Sequence, residues 1–179
     1  MLKIIIPKSE YYDERIEEFI NYEAIELQLE HSLESVSAWE SKWNKPFLSS
    51  KDKSVDEIID YIRCMTLTEG VDPDAYERLT EHNIKAINSY IDAPMTATTF
   101  SETNSSSNRE IITSEIIYYW MVSFSIPFEC QKWHLNRLLA LIKVCNIKNN
   151  PPKKMSKQEV MARNKALNAQ RKQALNSKG

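Results

Sequence analysis

Hydrophobic positions along this chain repeat first at the spacing of strands and then at the spacing of helices. Leu2 to Ile6 is a β-branched run closed by Pro7, and the segments Glu17–Ile20 and Ala24–Glu30 follow it. In the last of these, Ile25, Leu27 and Leu29 alternate with Glu or Gln, the period-2 pattern of a half-buried strand. Together these segments predict a small N-terminal antiparallel sheet, laid out as a meander.

From Ser32 onward the period is helical. Leu33, Val36, Trp39 and Trp43 fall on one side of a helix over Ser32–Trp43, and Ser37 and Glu40 stand at capping-box spacing, although the same spacing also occurs inside a helix. Ser54-Val55-Asp56-Glu57 is a better box. It opens a helix whose apolar face is Val55, Ile58, Ile59, Ile62 and Met65. Asp72-Pro73 supplies an N-cap followed by proline at the first helical position, and predicts a helix to about Asp92 that buries Tyr76, Leu79, Ile84, Ile87 and Ile91. Met95–Phe100 and Arg109–Thr113 read as two short strands around a polar Ser/Asn tip, Ser101–Asn108, and so as an inserted hairpin.

Thr113 then caps a helix to about Ser125 carrying Ile116, Ile117, Trp120, Met121 and Phe124. Beyond Pro127 a long helix is predicted from Glu129 to about Ile147, with Leu135, Leu138, Leu139, Ile142 and Cys145 as its core face and Trp133, Leu141 and Val144 beside it. Its apolar arc is wide, which predicts a central position. Asn149-Asn150-Pro151-Pro152 ends it. The last element is a helix opened by the box Ser156-Lys157-Gln158-Glu159 and continued by strong helix formers to Leu175. The predicted class is α+β: a small N-terminal antiparallel sheet, a helical body with an inserted β-hairpin, and a basic C-terminal helix.

Charge divides the chain at the same break. Residues 151–179 hold eight basic residues and one acid, Glu159, a net +7; the other fifteen basic and twenty-four acidic residues leave −9 on residues 1–150. The organisation predicted is an acidic globular domain, 1–150, and a basic helical tail, 151–179. The stripe Val160–Leu167, with Asn164 and Arg171, buries too little apolar area to hold that helix by itself, so a partner is expected to fix it. The candidate partner-binding residues are Lys153, Lys154, Lys157, Arg163, Asn164, Lys165, Arg171 and Lys172. Asn164, Asn168 and Asn176 add amides at helical intervals, suited to a protein contact or to nucleic acid. No aromatic residue interleaves the charges, so base stacking is poorly supported and nucleic acid is the disfavoured partner.

Composition removes several function classes. Hydrophobic content is 42 %, enough for a core, and no apolar run is long enough to span a membrane. The first apolar stretch, Leu2–Ile6, is only five residues even with Lys3 counted, too short for a secretory signal. The only glycines are Gly70 and Gly179, which excludes a P-loop and a dinucleotide fingerprint. Cys64, Cys130 and Cys145 are odd in number and lie among apolar residues, so they read as reduced thiols in a cytosol.

Three groupings invite chemistry. Cys130 and His134 stand four apart on one predicted helix, with Cys145 near the same face, a spacing also seen in zinc ligands. A structural zinc takes four ligands in paired short spacings, and His31 and His82 offer no such pairs, so core packing is the preferred reading and no metal or other cofactor is expected. Cys64 beside Arg63 and Cys130 near Lys132 lack the setting of an activated thiol, and no enzyme activity is expected. Glu26, Glu30, Glu34 and Glu40 read as a solvated negative face, while Trp120, Trp133, Tyr118 and Tyr119 read as core rather than as a base-stacking platform.

Several segments carry a family likeness. They include Leu29-Glu30-His31-Ser32-Leu33, Trp39-Glu40-Ser41-Lys42-Trp43, Lys45-Pro46-Phe47-Leu48, Asp60-Tyr61-Ile62-Arg63-Cys64-Met65, Met95-Thr96-Ala97-Thr98 and Pro127 through Leu139. With the ending, from Pro152-Lys153-Lys154-Met155 through Ala166-Leu167-Asn168 to Ser177-Lys178-Gly179, the chain resembles the tail assembly chaperones of tailed bacteriophages and prophages over nearly its whole length. The resemblance implies a non-enzymatic protein of the host-cell cytoplasm. Such chaperones hold the long, aggregation-prone tape-measure protein until tail-tube subunits polymerise around it, and many occur in a short and a frame-shifted long product. The ending Asn176–Gly179 agrees with the short one. The implied partners are the tape-measure protein, the tail-tube protein and further copies of the chain. The alternatives are a structural tail or head–tail protein of the virion and a small nucleic-acid-binding phage protein. The motifs have no chemistry attached, and no family binding residue transfers to a position here.

Overall fold

A computed structural model describes residues 1–15, 17–100, 111–149 and 157–175. It is an α+β protein. Strands β1 (Leu2–Ile6), β2 (Ser9–Asp13), β3 (Glu18–Tyr22) and β4 (Ile25–Leu29) come first. Helices α1 (Leu33–Trp43), α2 (Val55–Met65), α3 (Glu81–Asp92), α4 (Ser114–Ser123), α5 (Leu135–Asn149) and α6 (Lys157–Leu175) follow, with 3-10 segments at Pro73–Arg78 and Phe128–Lys132. The chain falls into two compact units, Met1–Cys145 and Asn146–Gly179.

The N-terminal strands do not form a meander. β1 pairs antiparallel with β4, from Leu2 opposite Leu29 to Ile6 opposite Ile25, and β2 pairs with β3 from Ser9 opposite Tyr22 to Asp13 opposite Glu18. Both pairs keep one register, so they are the base and finger of a single nested hairpin. Pro7, which has no N–H to donate, stands where the ladder is interrupted. The base is core: Ile4, Ile6, Leu27 and Leu29 are buried. The finger exposes Tyr11, Tyr12 and Phe19, with Tyr12 and Phe19 in ring contact across the strands at 5.0 Å. Arg78 braces it, its guanidinium 4.4 Å from the centre of the Tyr22 ring. β2 escapes the sequence pattern because Ser9, Glu10, Tyr11 and Tyr12 are all exposed, so no burial imposes alternation among them.

The edges of the base are occupied. Outside β4, the Leu67 N–H donates to the Gln28 carbonyl at 2.7 Å and the Glu30 N–H to the Met65 carbonyl at 2.9 Å. Outside β1, the Asn83 amide donates to the Ile5 carbonyl at 3.1 Å. Such coverage removes the unpaired edge that would otherwise template aggregation.

Helix α1, not α5, carries the packing. α2, α4 and the segment Phe128–Lys132 all lie against it, and Leu33, Val36 and Trp39 are fully buried. Its cap is Ser32 paired with Ser35; Ser37 and Glu40 lie inside the helix. α2 starts at the predicted Ser54–Glu57 box. Its face is rotated from expectation. Val55 and Ile58 are exposed, whereas Glu57, Asp60 and Tyr61 are buried, because the two acids meet cations from α1 and the loop after it. Asp60 pairs with Lys42 and accepts the Trp43 indole N–H at 2.9 Å; Glu57 pairs with Lys45.

The predicted helix from Pro73 to Asp92 is divided. Asp72 caps a 3-10 segment, and Thr80 with Asn83 forms a fresh capping box for α3. The predicted helix from Glu129 is shortened for a related reason. The His134 region pairs with β4's exit, through a bridge between Ser32 and His134 and a 2.7 Å bond from the Leu135 N–H to the His31 carbonyl, so α5 begins only at Leu135. The inserted hairpin is also corrected: Met95–Phe100 and Ile111–Thr113 are not strands, while 101–110 lies outside the described residues. Met95 takes a positive φ of 49°, and the Thr98 N–H turns back onto the Thr96 hydroxyl at 3.1 Å, a local bond that competes with strand pairing.

These burials set stabilities apart. Leu27→Ala, at a fully buried strand position, is expected to cost about 2–5 kcal/mol. Val55→Ala, 70 % exposed, is expected to change stability by less than about 0.5 kcal/mol. Urea unfolding of the two variants measures the difference.

Candidate functional site

Helix α6 spans nineteen residues and is exposed at every described side chain. Arg163, Asn164, Lys165, Arg171 and Lys172 therefore all stand in solvent on one element. Lys157 belongs to α6, but its side chain lies outside the described residues, as do Lys153, Lys154, Asn176 and the cap at Ser156. At 100° per residue, Met161, Asn164, Lys165, Asn168 and Lys172 share one face, and Arg163, Leu167 and Arg171 share another. Basic groups thus flank both sides of a rod about 28 Å long. Among the apolar residues, Met161 is 68 % and Leu175 75 % exposed. With no buried side chain among those described, α6 draws little from packing there and leans on intrinsic propensity.

The titratable groups in the body are built into its interior. His31 and His134 meet edge to face with ring centres 5.1 Å apart. The His134 Nδ1 accepts the Asn136 N–H at 3.3 Å, which leaves the ring proton on Nε2 to donate to the Tyr90 carbonyl at 2.9 Å. His134 thereby caps α5 and ties it to α3. His31 Nδ1 bonds the Tyr61 hydroxyl, which lies 3.5 Å from Ser35 Oγ. Ser35 in turn donates to the Ser32 carbonyl at 2.8 Å. Burial, with His134 beside it, lowers the His31 pKa to about 4, and burial raises that of the Tyr61 hydroxyl. Tyr61 also lines the half-open gap between α2 and α3, but its hydroxyl is engaged with His31 and lies beside Ser35, so the cluster reads as a buried polar junction.

Glu40 and Glu30 are corrections to the solvated-face reading. Glu40 is buried: Oε1 accepts the Phe47 N–H and Oε2 the Ser114 N–H, each at 2.7 Å, which fixes the loop after α1 and the start of α4. Glu30 accepts the Tyr90 hydroxyl at 2.7 Å. Glu26 is exposed and pairs with Lys3 at 3.0 Å, and Glu34 is exposed. Tyr119 is likewise exposed rather than core, whereas Tyr118, Trp120 and Trp133 are half-buried.

The cysteines are free. Cys130 is buried, Cys64 and Cys145 are half-buried, and burial with Asp60 nearby raises the Cys64 pKa, the opposite of an activated thiol. Cys130 and His134 do not share a helix, because α5 begins after His134. Among the described residues no group of three or more His, Cys, Asp or Glu side chains is placed to hold a metal ion, and no helix is long and apolar enough to cross a membrane.

One surface feature had no signal in the sequence. Between α2 and α3 lies a half-open apolar cavity of about 230 Å³ lined by Ile58, Ile62, Ile84, Ile87 and Ile91, with Lys53 among its polar residues. The isoleucines read as core from their periodicity; that a gap remains between the two helices depends on how these are spaced.

Compared with protein-family models, with curated proteins and with solved structures, the chain matches none.

The His31 burial predicts acid sensitivity. Its folded pKa, about 4, lies below the ordinary 6.5, so the unfolded chain binds the proton more readily and stability falls as pH drops from 6.5 toward 4. The expected loss is on the order of 3 kcal/mol. His31→Gln, which keeps a polar partner for Tyr61, should flatten this slope in urea melts taken across that range.

Proposed function

We propose that this protein is a non-enzymatic binding protein whose basic C-terminal helix captures a helical protein partner, acting as a tail assembly chaperone for a phage tape-measure protein in the host cytoplasm. The observation that carries the reading is α6 itself: nineteen residues of helix, basic on two sides, with every described side chain in solvent. An isolated helix of this length is marginal in water, and its few apolar residues become useful only against a second surface. Helix-in-groove contacts then supply affinity, and the positive charge speeds encounter with an acidic segment. The family likeness of the sequence narrows the partner to the tape-measure protein.

Co-expression tests it. The chain is expected to keep the tape-measure protein soluble and to co-purify with it. The variant Lys165→Glu/Arg171→Glu/Lys172→Glu is expected to lose the partner while its thermal unfolding stays unchanged. Mass spectrometry of purified particles should find the chain absent. Its presence in stoichiometric amount would make it a structural component of the virion instead, and tight, salt-sensitive retardation of nucleic acid would point to the third alternative.

A further inference from the structure

We infer that the groove between α2 and α3 is a docking site for an acidic amphipathic helix, which places an apolar side chain in the cavity and a carboxylate on Lys53. The site is built from residues of the body and uses none of those assigned to α6, so it stands whether or not the reading of α6 does.

The walls have the form such an occupant needs. Ile84, Ile87 and Ile91 mark about two turns of α3, opposite Ile58 and Ile62 one turn apart on α2. That spacing matches the i, i+3/i+4, i+7 anchors of a helix lying along a groove. The apolar lining continues outward, since Ile58 is 41 % exposed and Val55, one turn before it, 70 %. The volume, about 230 Å³, is smaller than the roughly 300–1,000 Å³ of sites that enclose a free drug-sized ligand. It suits one or two side chains delivered from outside.

Charge selects the partner. The Lys53 ammonium lies 4.3 Å from the centre of the Phe47 ring and donates to the Phe47 and Ser50 carbonyls at 2.8 and 2.6 Å. It forms no ion pair among the described residues, and one N–H remains for another acceptor. Partial burial lowers its pKa, with Glu57 opposing this, so the cation is poorly solvated where it sits. Glu57 directs Oε1 to Lys45 and Oε2 to the Ser54 N–H at 2.8 Å, and acts on Lys53 through space rather than by a direct ion pair. A carboxylate arriving beside an apolar anchor would complete the Lys53 ammonium and exclude water from the pair.

The test uses the full chain and a fluorescent synthetic helix of about five turns. The peptide carries leucines at i, i+4 and i+7 flanked by glutamates, and has two twins, one with Leu→Ala and one with Glu→Lys. Anisotropy at physiological salt should show binding of the acidic leucine peptide, and weaker binding of both twins. Ile58→Asp and Lys53→Glu should each weaken it by about tenfold or more. Lys53→Glu should also shift preference toward the lysine twin, which simple loss of folding would not produce. In the Lys165→Glu/Arg171→Glu/Lys172→Glu background, which removes capture by α6, the acidic leucine peptide should still bind and Ile58→Asp and Lys53→Glu should still weaken it. No binding, equal binding of the Leu→Ala twin, or loss confined to the α6 variant would overturn the inference.

Discussion

The body of this protein depends on one long-range junction. His31 and Ser32, where the hairpin ends and α1 begins, are met by His134 and Leu135, where α5 begins. The backbone bonds there close a loop of about a hundred residues, whose closure entropy has to be recovered from the contacts it makes possible. Two imidazoles and a tyrosine hydroxyl fill the junction, and each has its polar partners at hand: His134 takes the Tyr90 carbonyl and the Asn136 N–H, and His31 takes Tyr61. Such a satisfied polar cluster specifies which elements meet, because any other arrangement leaves a buried ring nitrogen without a partner.

The acids follow the same logic. Acids are used inside as fasteners: Glu40, which reads as negative surface in the sequence, holds two backbone N–H groups, Glu57 combines its capping box with Lys45, and Asp60 joins Lys42 and Trp43. The carboxyls of Glu57 and Asp60 are held below their ordinary range. For Glu57 the Lys45 bond is the main cause; for Asp60 the bonds from Lys42 and Trp43 outweigh the opposing effect of burial. Lys165, Arg171 and Lys172 of α6, by contrast, are exposed.

Legibility tracked the range of the interaction. The Ser54–Glu57 box, the helix over Leu33–Trp43 and the alternation in β4 were readable because they are written in residues a few positions apart. The failures came where a distant segment intervened. Trp133 and His134 have helical neighbours on both sides, yet the backbone there is extended to meet Ser32. Thr80–Asn83 restarts a helix in a position where Asn83 also reaches Ile5. In the finger, β3 was partly legible through Glu17–Ile20, whereas β2, exposed at Ser9, Glu10, Tyr11 and Tyr12, carried no alternation to betray it.

The amino-acid sequence by itself determined the α+β class, the caps at Ser54 and Asp72, many of the apolar positions that became core and the basic character of the last helix, since propensity, periodicity and charge are local properties. Only the tertiary structure decided that Glu40 and Glu57 are interior, that His31 and His134 share a pocket, that β1 pairs with β4 and that a groove remains between α2 and α3. Those outcomes are set by which remote groups can satisfy one another once water is excluded, and a linear pattern does not carry that information.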